Sequence, residues 1–202
     1  MPWSDLYKSH QSLRANGKQA IHDIRKALNW YNGLTPMLFN DRMIAARFQP
    51  VRNHQSGLLG YSLSGADGEY LAVWNLPEAQ QKEAPLHEAR LLVQLLLSGD
   101  STHIHMLTVA VAGRRKGKKE NWTLAVHLPD DRGENGDRQG HGACGHAALH
   151  CHVGPDAYAS PKVRSPMPPV GAGALVQWAI SQVVPTKTFE PALWEDIVTD
   201  TP

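Results

Sequence analysis

Apolar and polar positions follow different rhythms along the chain, and each rhythm predicts a different element. Near the start, Leu6, Leu13, Ile21, Ile24, Leu28 and Tyr31 recur at roughly helical intervals, with Ser4 placed to cap the first turn. Gly17 interrupts this pattern near its middle, and Gly33 and Pro36 end it. Two shorter runs, Met43 to Phe48 and Tyr70 to Leu76, read as strands. Between them, Ser56 to Gly68 carries glycines at 57, 60, 65 and 68 and reads as a turn-rich connection. The two strands are therefore expected to pair as a hairpin.

From Pro85 to Ser98 the run LHEARLLVQLLLS is apolar on most sides and rich in good helix formers, with Gly99 positioned to stop it. A buried helix is expected there. HIHMLTVAVA and WTLAVHLP follow, two strand-like runs around the cationic stretch GRRKGKKEN, which predicts a second hairpin. Its register stays open. Paired positions summing to 232 put His105 opposite His127 on one face, whereas a sum of 233 turns His127 away, because a one-residue slip inverts every side chain.

After the polar loop Asp130 to Gly140, apolar character returns only at Ala147 to Val153, a short strand closed by Gly154 and Pro155. Eight of the 14 prolines lie from Pro155 onward, so the tail is expected to be extended, apart from a last helix over Ala172 to Val184. The order of helix, strands, helix, strands and helix implies an α+β fold. It is read as a single domain with a mainly antiparallel sheet, roughly three packed helices and a Pro-rich C-terminal tail. Residues 1–154 form the expected core, and 155–202 an extension whose one helix packs on the same domain.

Composition narrows the class without naming an activity. With 202 residues, 42% hydrophobic and 19% charged, the chain is a globular mixture, not a collagen, a coiled coil or a wholly disordered polymer. No stretch approaches the roughly 18 apolar residues of a membrane span, and the first ten residues lack the features of a secretory signal. No membrane partner is expected. Cys144 and Cys151 are the only cysteines and form no C-x-x-C pair, which argues against a disulfide framework and for a cytoplasmic setting.

Two local concentrations carry the candidate chemistry. Seven of the 11 histidines fall between His103 and His152, together with both cysteines. His141, Cys144, His146, His150 and His152 supply the nitrogen and sulfur ligands that zinc and similar divalent ions prefer. Residues two apart on a strand share a face, so His150 and His152 project together while Cys151 points away, and His103 pairs with His105 in the same manner. A third ligand from His141, Cys144 or His146 would complete a site. Used without a metal, histidines such as His103, His105 and His127 can act as general base and general acid, as phosphodiester cleavage requires. Cys144, flanked by Gly142, Ala143 and Gly145, is a further nucleophile candidate, although the G-x-S-x-G elbow is not met.

The second concentration is the turn 113–119. Arg114, Arg115, Lys116, Lys118 and Lys119 are five of the 20 basic residues, and the other 15 face 19 acidic ones, so the positive charge is focused rather than general. Such a hairpin tip can contact phosphates, and Trp122 just beyond it could stack on a base. In the tail, Phe189, Pro191, Leu193 and Trp194 resemble an apolar clasp that either folds back or docks on a protein partner. The leading reading is a histidine-rich, metal-dependent phosphodiesterase or nuclease-like enzyme, with zinc as the expected ion. The alternative is a non-catalytic nucleic-acid- or protein-binding subunit whose histidines are structural.

Overall fold

The computed structural model describes residues 3–30, 34–39, 42–44, 48–51, 57–63, 72–74, 86–115, 117–119, 121–132, 149–154 and 165–182. The interrupted N-terminal periodicity becomes two helices, α1 (Trp3–Leu13) and α2 (Gly17–Trp30). Gly17 starts α2 where its N–H donates to Thr102 O at 3.2 Å. A Cβ there would stand 2.4 Å from Ser101 O, so only glycine permits this approach. Along α2, Ala20, Ile24, Ala27 and Leu28 are buried and Lys18, Gln19, His22 and Lys26 lie outside the core, a stripe of helical period.

The strands are β1 (Leu34–Phe39), β2 (Arg42–Ile44), β3 (Phe48–Val51), β4 (Leu58–Leu63), β5 (Ala72–Trp74), β6 (Leu86–Ser98), β7 (Ile104–Arg115), β8 (Asn121–Leu128), β9 (His150–Gly154) and β10 (Ser165–Pro166). They form one antiparallel sheet in the order β10-β9-β8-β7-β6-β5-β1-β2, while β4 pairs with β3 and with β6. The fold is thus mixed α+β around an antiparallel sheet, as the order of elements implied.

Three expectations are corrected. The expected helix at Pro85 to Ser98 is strand β6, held along one edge by β7 and along the other by β5 and then β4. Leu91, Val93, Leu95 and Leu97 point to one side and are buried, yet Leu92 on the other side is buried as well. Burial on both faces erases the alternation that would mark a strand. Leucine's helix preference amounts to only tenths of a kcal/mol per residue, and two flanking ladders outweigh it (about 0.2–0.7 kcal/mol).

The hairpin expected between 43–48 and 70–76 does not form, because β1 lies between β2 and β5 and pairs with both. Within the stretch read as turn, β4 starts after Gly57, whose φ of +83° is the left-handed conformation glycine tolerates. Finally, the β7–β8 hairpin does form, but its paired positions sum to 235, as in Thr108 with His127 and Arg114 with Asn121. Neither 232 nor 233 holds, and His127 is not opposite His105.

A bulge near the start of β7 sets the direction of one histidine. Leu96 pairs with Met106 and Leu97 with Ile104, so His105 is the extra residue on its strand. Ile104 and Leu107 therefore both reach the core face. On that face lies the last helix, α3 (Ala172–Ser181), which packs against α2, β7 and β8. Gly173 abuts α2 so closely that a Cβ would meet Asp23 O at 2.8 Å. No described helix is long and apolar enough to cross a membrane.

A candidate metal centre

The two histidines of the H-x-H sequence meet at the start of β7, where four segments converge. The β6–β7 turn is stiffened by Asp100, which accepts hydrogen bonds from Ser98 Oγ, from Thr102 N at 3.1 Å and from Thr102 Oγ1 at 2.8 Å. These bonds hold the Asp100 carboxyl down at about 2. Ser98 Oγ in turn accepts from His103 N at 3.0 Å, fixing the backbone that carries the first imidazole. The bulge aims the second, and the two rings meet edge to face with centroids 4.9 Å apart.

Asp131 joins them. Past Leu128 the chain continues alongside β7, and Asp131 N donates to His105 O at 3.3 Å. His103 Nε2 donates to Asp131 Oδ2 and His105 Nδ1 to Asp131 Oδ1, each at 2.7 Å. Burial works against ionisation of Asp131, but the two imidazole hydrogen bonds and the charge of Arg14 outweigh it and hold the carboxyl below its ordinary value. The three side chains are 40%, 18% and 24% exposed, so the group is reachable from solvent.

Arg14, in the connector between α1 and α2, is the buried support beneath this group. Its Nη1 donates to Ile104 O at 3.0 Å and His105 O at 2.7 Å, its Nη2 donates to Pro129 O at 2.9 Å, and Nη1 stands 3.7 Å from Asp131 Oδ2. One guanidinium thus ties the start of β7 to the segment after β8, using the planar fork that lysine lacks. Beside it, Arg132 grips Asp130 through Nε and Nη2, and these bonds hold the Asp130 carboxyl low against the effect of burial.

The ligand atoms of His103, His105 and Asp131 all lie within 4.8 Å of one another, and this group could hold a metal ion. A tetrahedral zinc would separate its ligand atoms by roughly 3.4 Å. Small outward movements of the side chains from their present 2.7 Å contacts would admit the ion. Two imidazoles and one carboxylate are a donor set that leaves coordination positions for water or substrate.

The other candidates are distributed elsewhere. His127, His150 and His152 share the opposite neighbourhood of the β8–β9 ladder: His127 pairs with His150, and Ala125 with His152. Cys151 points away from them toward the helices, where burial pushes its thiol up. His141, Cys144 and His146 lie outside the described residues, as do Lys116 and the apolar positions 189–194 of the tail. Arg114, Lys118 and Lys119 are exposed, and Arg115 ends β7. Trp122 is half-buried against the core, which leaves little of its ring for stacking. The basic turn stands at the far end of the hairpin from Asp131, about 36 Å away at roughly 3.3 Å per residue.

Asp131 is a candidate ligand that the sequence pattern did not single out, because its place depends on the hairpin register that the sequence left open. The chain past Leu128 carries it alongside His105, whose carbonyl accepts from Asp131 N. Arg14 carried no local signal. Comparison of the chain with family models, curated proteins and solved structures finds no match.

Proposed function

We propose that the protein is a metal-dependent hydrolase of phosphate esters, with His103, His105 and Asp131 as ligands of a divalent ion, zinc foremost. A single observation carries this reading: one carboxylate sits between two imidazoles of the same strand end, with all donor atoms within 4.8 Å and open to solvent. Such an ion supplies a water molecule acidified toward neutral pH and a Lewis acid for a phosphoryl oxygen. Arg14 holds the backbone carbonyls of Ile104 and His105, and Ser98 holds the His103 N–H, so the donors are set before an ion arrives. The exposed Arg114, Lys118 and Lys119 favour a phosphodiester polymer as substrate, because only an extended polyanion reaches from the turn to the centre across about 36 Å.

That same separation favours a second reading, in which the turn binds nucleic acid and no hydrolysis follows. One experiment separates the two. Zinc-loaded protein is assayed on a nitrophenyl phosphodiester and on single- and double-stranded oligonucleotides, beside Asp131→Asn. Hydrolysis that falls at least about a hundredfold in the variant supports the enzyme. Salt-dependent oligonucleotide binding, unchanged in the variant and without any hydrolysis, supports the binding module and overturns the enzyme.

A further inference from the structure

Helix α2 meets the candidate centre at its first residue. Gly17 N donates to Thr102 O at 3.2 Å, one residue before His103, and Arg14, just ahead of the helix, supports the His105 carbonyl. From there α2 runs toward β3 and β4, because Arg25 Nε donates to Phe48 O at 3.4 Å and its guanidinium lies 5.9 Å from the centre of the Tyr61 ring. The turn 113–119 lies in another direction, at the far end of β7 and β8.

At about 100° per residue, Lys18, His22, Arg25, Lys26 and Asn29 fall within one arc of about 100°. All five are exposed, and the buried Ala20, Ile24, Ala27 and Leu28 occupy the opposite side. Asp23, the one acidic residue of the helix, lies off this arc, on the side toward α3, where a Cβ at Gly173 would stand 2.9 Å from its Cβ. Its Oδ1 accepts from Gln19 Nε2 at 2.7 Å. Among the described residues, no carboxylate pairs with Lys18, Arg25 or Lys26.

We infer that this exposed face of α2 binds the phosphodiester backbone of a nucleic acid strand and leads it to the centre. The inference rests on the polymer substrate argued above and names the surface that holds it beside His103. Charge complementarity is the first support. At about 1.5 Å per residue, Lys18 and Lys26 stand about 12 Å apart along the axis, the length over which a strand rising about 3.4 Å per nucleotide presents three or four phosphates.

Position supplies the second support. Asp100, Asp130 and Asp131 surround the centre with carboxylates, which repel a polyanion unless cations stand close by. Helix α2 brings three cations to the segment that carries His103, whereas the basic turn is about 36 Å away. The exposed Lys118 and Lys119 of that turn call for the same partner, since a long polyanion reaches both surfaces and a short acidic peptide does not.

The test is fluorescence anisotropy of a labelled single-stranded oligonucleotide, with EDTA present so that no strand is cut. Lys18→Gln together with Lys26→Gln is expected to weaken binding at least about tenfold at low salt, and to flatten the slope of log affinity against log salt by about 1.4, at about 0.7 per lost contact. Lys8→Gln, at an exposed lysine of α1, is expected to leave both unchanged. An unchanged slope in the α2 variant, or an equal loss per charge from Lys8→Gln, overturns the inference. So does polyglutamate that displaces the oligonucleotide from the parent as well as an unlabelled strand of equal charge does. The hydrolase is scored apart, on the nitrophenyl diester. A parent that cleaves it, beside an α2 variant that binds the strand at full strength, keeps the hydrolase and loses the surface. A parent that cleaves nothing, beside an α2 variant that binds weakly, keeps the surface and loses the hydrolase.

Discussion

Asp131 is the residue on which the candidate centre turns, since its carboxylate bonds both imidazoles. Replacing it by asparagine keeps the shape but removes the charge, and zinc affinity is expected to drop by more than about tenfold in calorimetric titration. Arg14→Met removes the donor to three carbonyls while filling much of the same volume. A loss of about 3 kcal/mol in denaturant unfolding is expected, since those carbonyls lose charge-assisted bonds in a buried place.

His10 offers a pH-dependent counterpart. Fully buried, it accepts at Nδ1 from Leu149 N at 3.1 Å and donates from Nε2 to Met167 O at 2.7 Å, which ties α1 to β9 and to the segment after β10. Burial lowers its pKa below 6.5, and the bond to Met167 opposes this only in part. The folded form therefore binds fewer protons than the unfolded chain near that pH. Its contribution to stability is complete above about 6.5 and declines as pH falls from there toward the lowered folded value. Thermal melts between pH 7.5 and 5 are expected to show this decline, and His10→Gln should flatten it.

His103 and His105 were legible in the sequence as an H-x-H pair, although the bulge at His105, and not strict strand alternation, sets how their rings meet. His127 and Asp131 were not, because their neighbours depend on a ladder offset set by where the basic turn closes. Arg14 lies 90 residues from Ile104, and no local pattern reports so long a contact.

Among the elements, β6 is the one whose sequence misled. A leucine-rich run buried on both faces looks alike as helix or strand, and only the two flanking ladders decide the matter. As the central strand, β6 should carry the slowest amide exchange in the chain, concentrated at 91–97 and slower than in α1, as hydrogen–deuterium exchange can show. The hairpin β7–β8 was legible because two β-branched runs flank a polar, glycine-containing turn, and helix α3 because it carries an apolar helical run before Pro185. Between elements, glycine sets the closest approaches. Gly17→Ala drives a Cβ against Ser101 O, a backbone atom that cannot rotate away. The expected cost of about 1–3 kcal/mol should lower the melting temperature by several degrees.

At the scale of the molecule, one sheet separates three chemically distinct places. The core face carries the helices, the other face carries His127, His150 and His152, and the strand ends hold Asp131 and the basic turn at opposite limits of one hairpin. Charge follows this layout: a net charge of +1 hides five cations gathered between Gly113 and Lys119. A substrate that uses both ends of the hairpin must be long, so cleavage is expected to favour oligonucleotides over mononucleotide esters.

Metal binding by His103, His105 and Asp131 is tested most directly by anomalous diffraction at the zinc edge from crystals grown with equimolar zinc. A peak is expected within about 2.0–2.2 Å of His103 Nε2, His105 Nδ1 and an Asp131 carboxylate oxygen. Ordered zinc elsewhere in the molecule, with the two 2.7 Å imidazole–carboxylate hydrogen bonds intact and no peak between them, would contradict it.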